Sequence, residues 1–427
     1  MIRIPLTPRL QRLREFAAAL LLGMLPVLAL AQTASSAASA PAPTVRAEVA
    51  KPLQAAQELI RAGNYKDALA KVDEAAAKPD LTPYESLLVL RLKAPAAYGS
   101  GDMALALQSF EGALASPLLT GNDRLMLMES TIKLSVQMKD LPRAVRWFKT
   151  YFDEGGSDAT LRGLYPQVLG VSGDHAGAVR EAKALVQAND AAGRPTPDSL
   201  LRTLGASANA LGDNASYQLA LEHLVVSTPR PDYWADLISR VTRRDGFADE
   251  RLRLDVYRLM LATGVTMEGD EYVDLAERAQ QAGQPIEAKR ALDNAAGQGL
   301  LGQIKNQAAL QKLRDQVAKA AAQDLASLDD SEKSALAAKD GNSLVNLGLA
   351  VWSSGAAERA AGLMNQGIAK GGLRRPDEAQ LRLGMVLASA NRTDDAQRAF
   401  AAVAGGDGSA DLARLWTLHL KSTAVKK

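Results

Sequence analysis

Along most of the chain, apolar residues recur three and four positions apart, the spacing that puts them on one face of an α-helix. These runs are short and punctuated by a glycine or a small polar residue. Runs that alternate apolar and polar, or that concentrate Val, Ile, Thr and aromatics, are missing, so the pattern predicts an all-α protein without a sheet.

The punctuation is itself periodic. Starting from a Gly or small polar anchor, an Ala follows five residues later, a large apolar residue nine later, and an Ala or other apolar residue twelve later. Gly63 leads to Ala68, Val72 and Ala75, Gly101 to Ala106, Phe110 and Ala113, and Lys139 to Ala144, Phe148 and Tyr151. Further copies begin at Gly173, Gly283, Gly355 and Asn391, with degenerate ones at Gly212, where Tyr217 replaces the Ala, and at Asp245. Seven residues ahead of most anchors stands another small residue: Ala56, Ala94, Gly205, Ala276, Gly348 and Gly384. A small residue on each of two helices lets their backbones approach closely, large residues fill the seam, and the anchor makes the turn between them.

Anchor spacings run from 33 to 39 residues. This pattern resembles the tetratricopeptide repeat (TPR), a helix-turn-helix unit, over most of the chain after the N-terminal segment. The resemblance implies an α-solenoid: about nine stacked helix pairs forming a right-handed superhelix, with Trp234 where the family's first helix carries its aromatic. Between Gly283 and Gly355 there is room for one more pair, around Gln307 to Leu328. Its small-residue marks are absent, and the region 303–340 reads as degenerate. Ser409 to Lys421 places Leu412, Leu415, Trp416 and Leu420 on one face, as expected for a capping helix that covers the last repeat.

Two stretches resemble a narrower group, the periplasmic TPR proteins that accompany TonB–ExbB–ExbD energy-transducing systems. The first is Asp232-Tyr-Trp-Ala-Asp-Leu237 followed by Gly269-Asp-Glu-Tyr-Val-Asp-Leu-Ala276, Ala282-Gly-Gln-Pro285 and Ala288-Lys289. The second is Lys370-Gly-Gly-Leu-Arg-Arg-Pro-Asp-Glu-Ala379 followed by Leu383-Gly384-Met385. That likeness implies an accessory or scaffolding role in envelope transport, with a protein partner and no chemical step. TPR arrays hold peptides on the concave face of their first helices. The corresponding positions here are Arg91, Tyr98, Glu129, Lys133, Arg202, Asn209, Asp270, Glu277 and Trp352. They contain no repeated Lys/Asn set of the kind that clamps a peptide carboxylate. Trp352 could anchor a peptide or pack against the next repeat.

The ends of the chain refine this picture. Residues 1–31 combine Arg3, Arg9, Arg12 and Arg14, an apolar run from Phe16 to Ala31 and the exit Ala29-Leu30-Ala31. Together they read as a secretory signal cleaved before Gln32, which directs the protein to the periplasm. The apolar run is 16 residues long and broken by Gly23 and Pro26, whereas a spanning helix needs about 20. Residues 32–48 read as an Ala/Ser/Pro linker, 49–421 as the solenoid and 422–427 as a tail.

At 427 residues the chain is longer than single cores usually grow, which suits an array. The net charge of +2 includes +3 from residues 1–31, so the remainder is near neutral and offers no general grip on nucleic acid. With no cysteines, thiol catalysis and Cys-based metal sites are excluded. No phosphate loop, dinucleotide fingerprint, serine-hydrolase elbow or His-Glu-x-x-His motif occurs, and His175, His223 and His419 lie far apart. A non-enzymatic protein without a cofactor or metal is therefore expected. Two rivals remain: a small-molecule or glycan binder, which would want clustered aromatics although the four Trp are scattered, and a self-assembling repeat protein. Arg240, Arg243, Arg244, Arg251 and Arg253, or Arg374 and Arg375, read as solvated helix ends with acidic neighbours.

Overall fold

The computed structural model describes residues 44–425. The signal segment and residues 32–43 of the linker lie outside the described residues. Those described form twenty α-helices and a 3-10 turn, with no strand. The fold is an α-solenoid in which consecutive helix pairs pack in series. The described residues divide into two compact units: 44–194 with 202–213, and 195–201 with 214–425.

The first unit holds α1 (Ala47–Arg61), α2 (Tyr65–Ala76), α3 (Pro83–Ser100), α4 (Met103–Leu114), α5 (Gly121–Gln137), α6 (Leu141–Asp153), α7 (Ala159–Val171), α8 (His175–Ala191) and most of α9 (Asp198–Leu211). Each turn within a pair follows one design. The anchor adopts a left-handed backbone: φ is 93° at Gly101 and 91° at Gly173, and even Lys139 takes 59°. The next residue then turns its N–H back to a carbonyl five positions earlier: Asp102 to Ala97, Asp140 to Ser135 and Asp174 to Leu169, each at 2.9 Å. This closes the first helix. The same aspartates cap the second helix, accepting from the N–H of Leu105, Arg143 and Gly177. One residue thus ends one helix and starts the next. That explains why the anchor tolerates a non-glycine at Lys139: the turn is over-determined by its neighbours.

Between helices the small residues lie where the spacing placed them. Ala56, Ala94, Ala106, Ala144 and Ala178 have no exposed surface, and Phe110, Phe148 and Tyr165 fill the space beside them. The solenoid begins slightly earlier than Val49. Arg46 donates from its backbone N–H and its guanidinium to Glu85 at 2.9–3.2 Å. Glu85 is fully buried and completes a capping box with Thr82 on α3. The Arg46 guanidinium first, then the Thr82 and Arg46 amides, hold the Glu85 carboxyl down at about 2.

The second unit contains α10 (Asn214–Ser227), α11 (Pro231–Thr242), α12 (Asp249–Thr263), α13 (Gly269–Gln281), α14 (Pro285–Gly297), the turn Leu300–Gln303, α15 (Gln307–Ala337), α16 (Asn342–Ser353), α17 (Ala357–Lys370), α18 (Pro376–Ser389), α19 (Thr393–Ala401) and α20 (Ser409–Val425). Close crossings fall at two of the expected glycines. A Cβ on Gly348 would lie 2.3 Å from Met364 Cγ, and one on Gly384 would lie 2.4 Å from Phe400 Cε1. Tyr217 replaces the expected small residue without leaving its hydroxyl unpaired. It donates to Asp236 at 2.6 Å, the Arg240 guanidinium lies 4.0 Å from its ring, and burial together with Asp236 pushes the phenol up to about 12.

Four further expectations change. Residues 307–337 form one helix of 31 residues rather than a pair. The stretch contains neither Gly nor Pro and is rich in Ala, Leu, Gln and Lys, so nothing reverses the chain. Its first half packs Leu310 and Val317 into the core of α13 and α14. Its second half is pinned to α17 through Arg359, which donates to Asp329 at 2.7 Å and Glu332 at 2.5 Å. The anchor of the sixth pair is Gly246 (φ 84°), one residue after Asp245. The tail is shorter than 422–427, because α20 runs to Val425 and Ser422 is buried.

The fourth change is the largest. Helix α20 covers α18 and α19, as a cap should, but it also packs against α10 and α12 at the start of the same unit. A terminal cap would leave its far side in water. Here Leu412, Leu415, Trp416 and Leu420 are all at most 6% exposed. The second unit therefore closes on itself.

Candidate functional site

Six of the nine first-helix positions lie in the first unit, in repeated register. Arg91, Glu129 and Arg202 each stand ten residues before the left-handed turn residue of their pair, while Tyr98 and Asn209 stand three before theirs. All lie on first helices, α3, α5 and α9, and are half-buried or exposed. Neighbouring first helices are linked along this face: Arg91 donates to Asp123 at 2.9 Å, and the Tyr98 hydroxyl lies 3.5 Å from Gln137 Oε1. Lys133 reaches Glu129 at 3.4 Å. Glu129 also has a structural duty, accepting from the Tyr151 hydroxyl at 2.9 Å, while that same hydroxyl accepts from the Asp158 N–H at 3.0 Å. Glu129 thereby orients the α6–α7 connection as well as facing outward.

The other three positions, Asp270, Glu277 and Trp352, belong to the second unit, where Asp270 and Glu277 are exposed on α13. Trp352 occupies the same register as Tyr98 and Asn209, three residues before its turn. It is half-buried and donates its indole N–H to Ser389 Oγ at 2.8 Å. It lines a cavity of about 740 Å³ walled by α12, α13, α14, α16, α18, the start of α19 and α20. Trp416 on α20 lines the same cavity, stacked on Phe400 with ring centroids 6.2 Å apart. The sequence could not disclose this meeting of two tryptophans 64 positions apart. The face carrying Leu412, Leu415 and Trp416 gave a helix, with no sign of what it would cover.

An ionic cluster holds the wall together. Asp255 on α12 is fully buried and accepts from Arg258 at 2.6 Å and from Arg382 of α18 at 2.9 Å. Arg258 also donates to Glu287 of α14 at 2.5 and 2.7 Å, and Arg382 to Glu378 at 3.0 Å. Burial raises the Asp255 carboxyl, but the Arg382 and Arg258 guanidiniums outweigh it and leave the group below its ordinary range. Arg251 adds contacts to Glu378 and Asp407, and the Ala248 N–H donates to the Asp407 carbonyl at 2.8 Å. Arg251 is thus a closing contact of the unit, contrary to its reading as a solvated helix end. Arg244 pairs with Asp411 at 2.5 Å and Arg375 with Glu378 at 3.0 Å.

Among the described residues, no group of His, Asp or Glu is arranged to hold a metal ion, and no helix is long and apolar enough to cross a membrane. No protein-family model matches the chain, and no curated protein matches it. Among solved structures, one of Naa15/Naa10 bound to HypK-THB matches with 14% sequence identity and a TM-score of 0.29, over 85% of this chain. The match spans 65% of that chain, less than two thirds of its length.

Proposed function

We propose that this protein is an exported interaction scaffold that holds an extended segment or a helix of another envelope protein on the first-helix face of its N-terminal unit. The observation that supports this reading most directly is the register of that face. Polar side chains stand at one position relative to the turn in the second, third and fifth pairs, at Arg91, Glu129 and Arg202, while the fourth pair has Gly163 there. A partner lying across these helices meets charged groups of alternating sign, basic on α3, acidic on α5 and basic on α9, and in-series helical arrays use such a face to hold extended segments. The signal-like residues 1–31 support export to the periplasm, and the stretches around Trp234, Asp270 and Arg375 support a role accessory to TonB-type transport.

Photocrosslinking in the envelope of the native host tests this. Photoreactive residues at Lys133 and at Asn209 are expected to capture one and the same protein: TonB, ExbB, ExbD or an outer-membrane receptor. A control at Lys149, on the second helix of its pair and 72% exposed, should not capture it. Equal yields from all three sites, or none above background, would remove the first-helix face as the docking surface.

A further inference from the structure

We propose that the cavity of the second unit is a binding site for a neutral oligosaccharide of one or two rings. This goes beyond the protein-partner reading and rests on different residues.

The size is right. About 740 Å³ falls inside the roughly 300–1,000 Å³ typical of small-molecule sites. The wall combines two indoles, Trp352 and Trp416, with short hydrogen-bonding side chains at Ser389, Asn391 and Thr393. Aromatic faces beside hydroxyl and amide groups suit a sugar ring, which presents apolar C–H faces and a rim of hydroxyls. The charges on the wall cancel: Arg258 and Arg290 stand against Glu287 and Asp293. Arg258 is committed to Asp255 and Glu287, and Arg290 donates one N–H to the Ser353 carbonyl at 3.1 Å. With two arginines matched by two carboxylates, these lining groups carry no net charge, which suits a neutral ligand.

An extended peptide is less suited, because β-type recognition needs a row of exposed backbone groups and this cavity is enclosed by helix sides.

The test is calorimetric titration of the mature protein with neutral disaccharides (cellobiose, maltose and diacetylchitobiose) in parallel with a neutral tetrapeptide. At least one sugar is expected to bind saturably and to perturb tryptophan fluorescence. Trp352→Leu and Trp416→Phe should each weaken it by about tenfold, the scale of one aromatic contact in a desolvated site. Trp352 is half-buried, so its variant keeps the measurement valid should Trp416→Phe disturb folding. Trp147→Phe, in the other unit, should leave binding unchanged. Absence of saturable binding by all three sugars at millimolar concentration, binding untouched by both cavity variants, or preferential uptake of the peptide would overturn the proposal.

Discussion

Asp255→Ala is expected to destabilise the second unit by about 3–5 kcal/mol, because it leaves two arginine charges without their shared carboxylate in a buried site. Asp255 has no exposed surface and Arg258 has 2% side-chain exposure, so water cannot replace the lost partner. Glu287 and Glu378 still contact Arg258 and Arg382, which keeps the loss near the lower end of that range. The comparison is Asp330→Ala, whose partner Lys333 is 79% exposed; it should change stability by no more than about 0.5 kcal/mol. Urea unfolding of both variants makes the measurement. Equal, small effects would mean that the cluster adds nothing to closure.

The second large effect is at Ala288, which is fully buried on α14 among Leu275, Ala276, Ala279 and Leu292. Ala288→Asp introduces a carboxylate into this apolar seam with no cation in the cluster to meet it, an expected loss of about 3–5 kcal/mol. Ala288→Gly removes only a methyl group and some helix propensity, a loss of about 1 kcal/mol. Circular dichroism during urea titration distinguishes the two. If Ala288→Asp unfolds at the wild-type urea concentration, α13 and α14 do not cross where the repeat register places them.

The repeat register could be read from the sequence because it is a local property. Turn, cap and small residue lie within one helix pair, and Gly101, Asp102, Ala94 and Ala106 report each other over a dozen residues. The closure of the second unit is not local. Arg251 and Glu378 are separated by 127 positions and Arg414 and Glu222 by 192, and neither member of a pair carries any mark of the other. The same holds for the cavity. Trp352 stood out by its position before a turn, whereas Trp416 looked like one apolar residue of a cap, and its role comes from α20 returning to α10 and α12. The region 303–340 differs for the opposite reason. A missing repeat mark suggests an eroded pair, but continuous helix formers without Gly or Pro are a positive signal for one long helix.

The closing contact is also where the account is most exposed to test. Hydrogen exchange should be compared between the full chain and a chain ending at Gly408, which lacks α20. If α20 joins the two ends of the second unit, protection should fall in α10 and α12 as well as in α18 and α19, although α10 begins almost two hundred residues before the deletion. Protection lost only in α18 and α19, with α10 and α12 unchanged, would mean that α20 is a simple terminal cap, and the cavity it walls would not exist in solution.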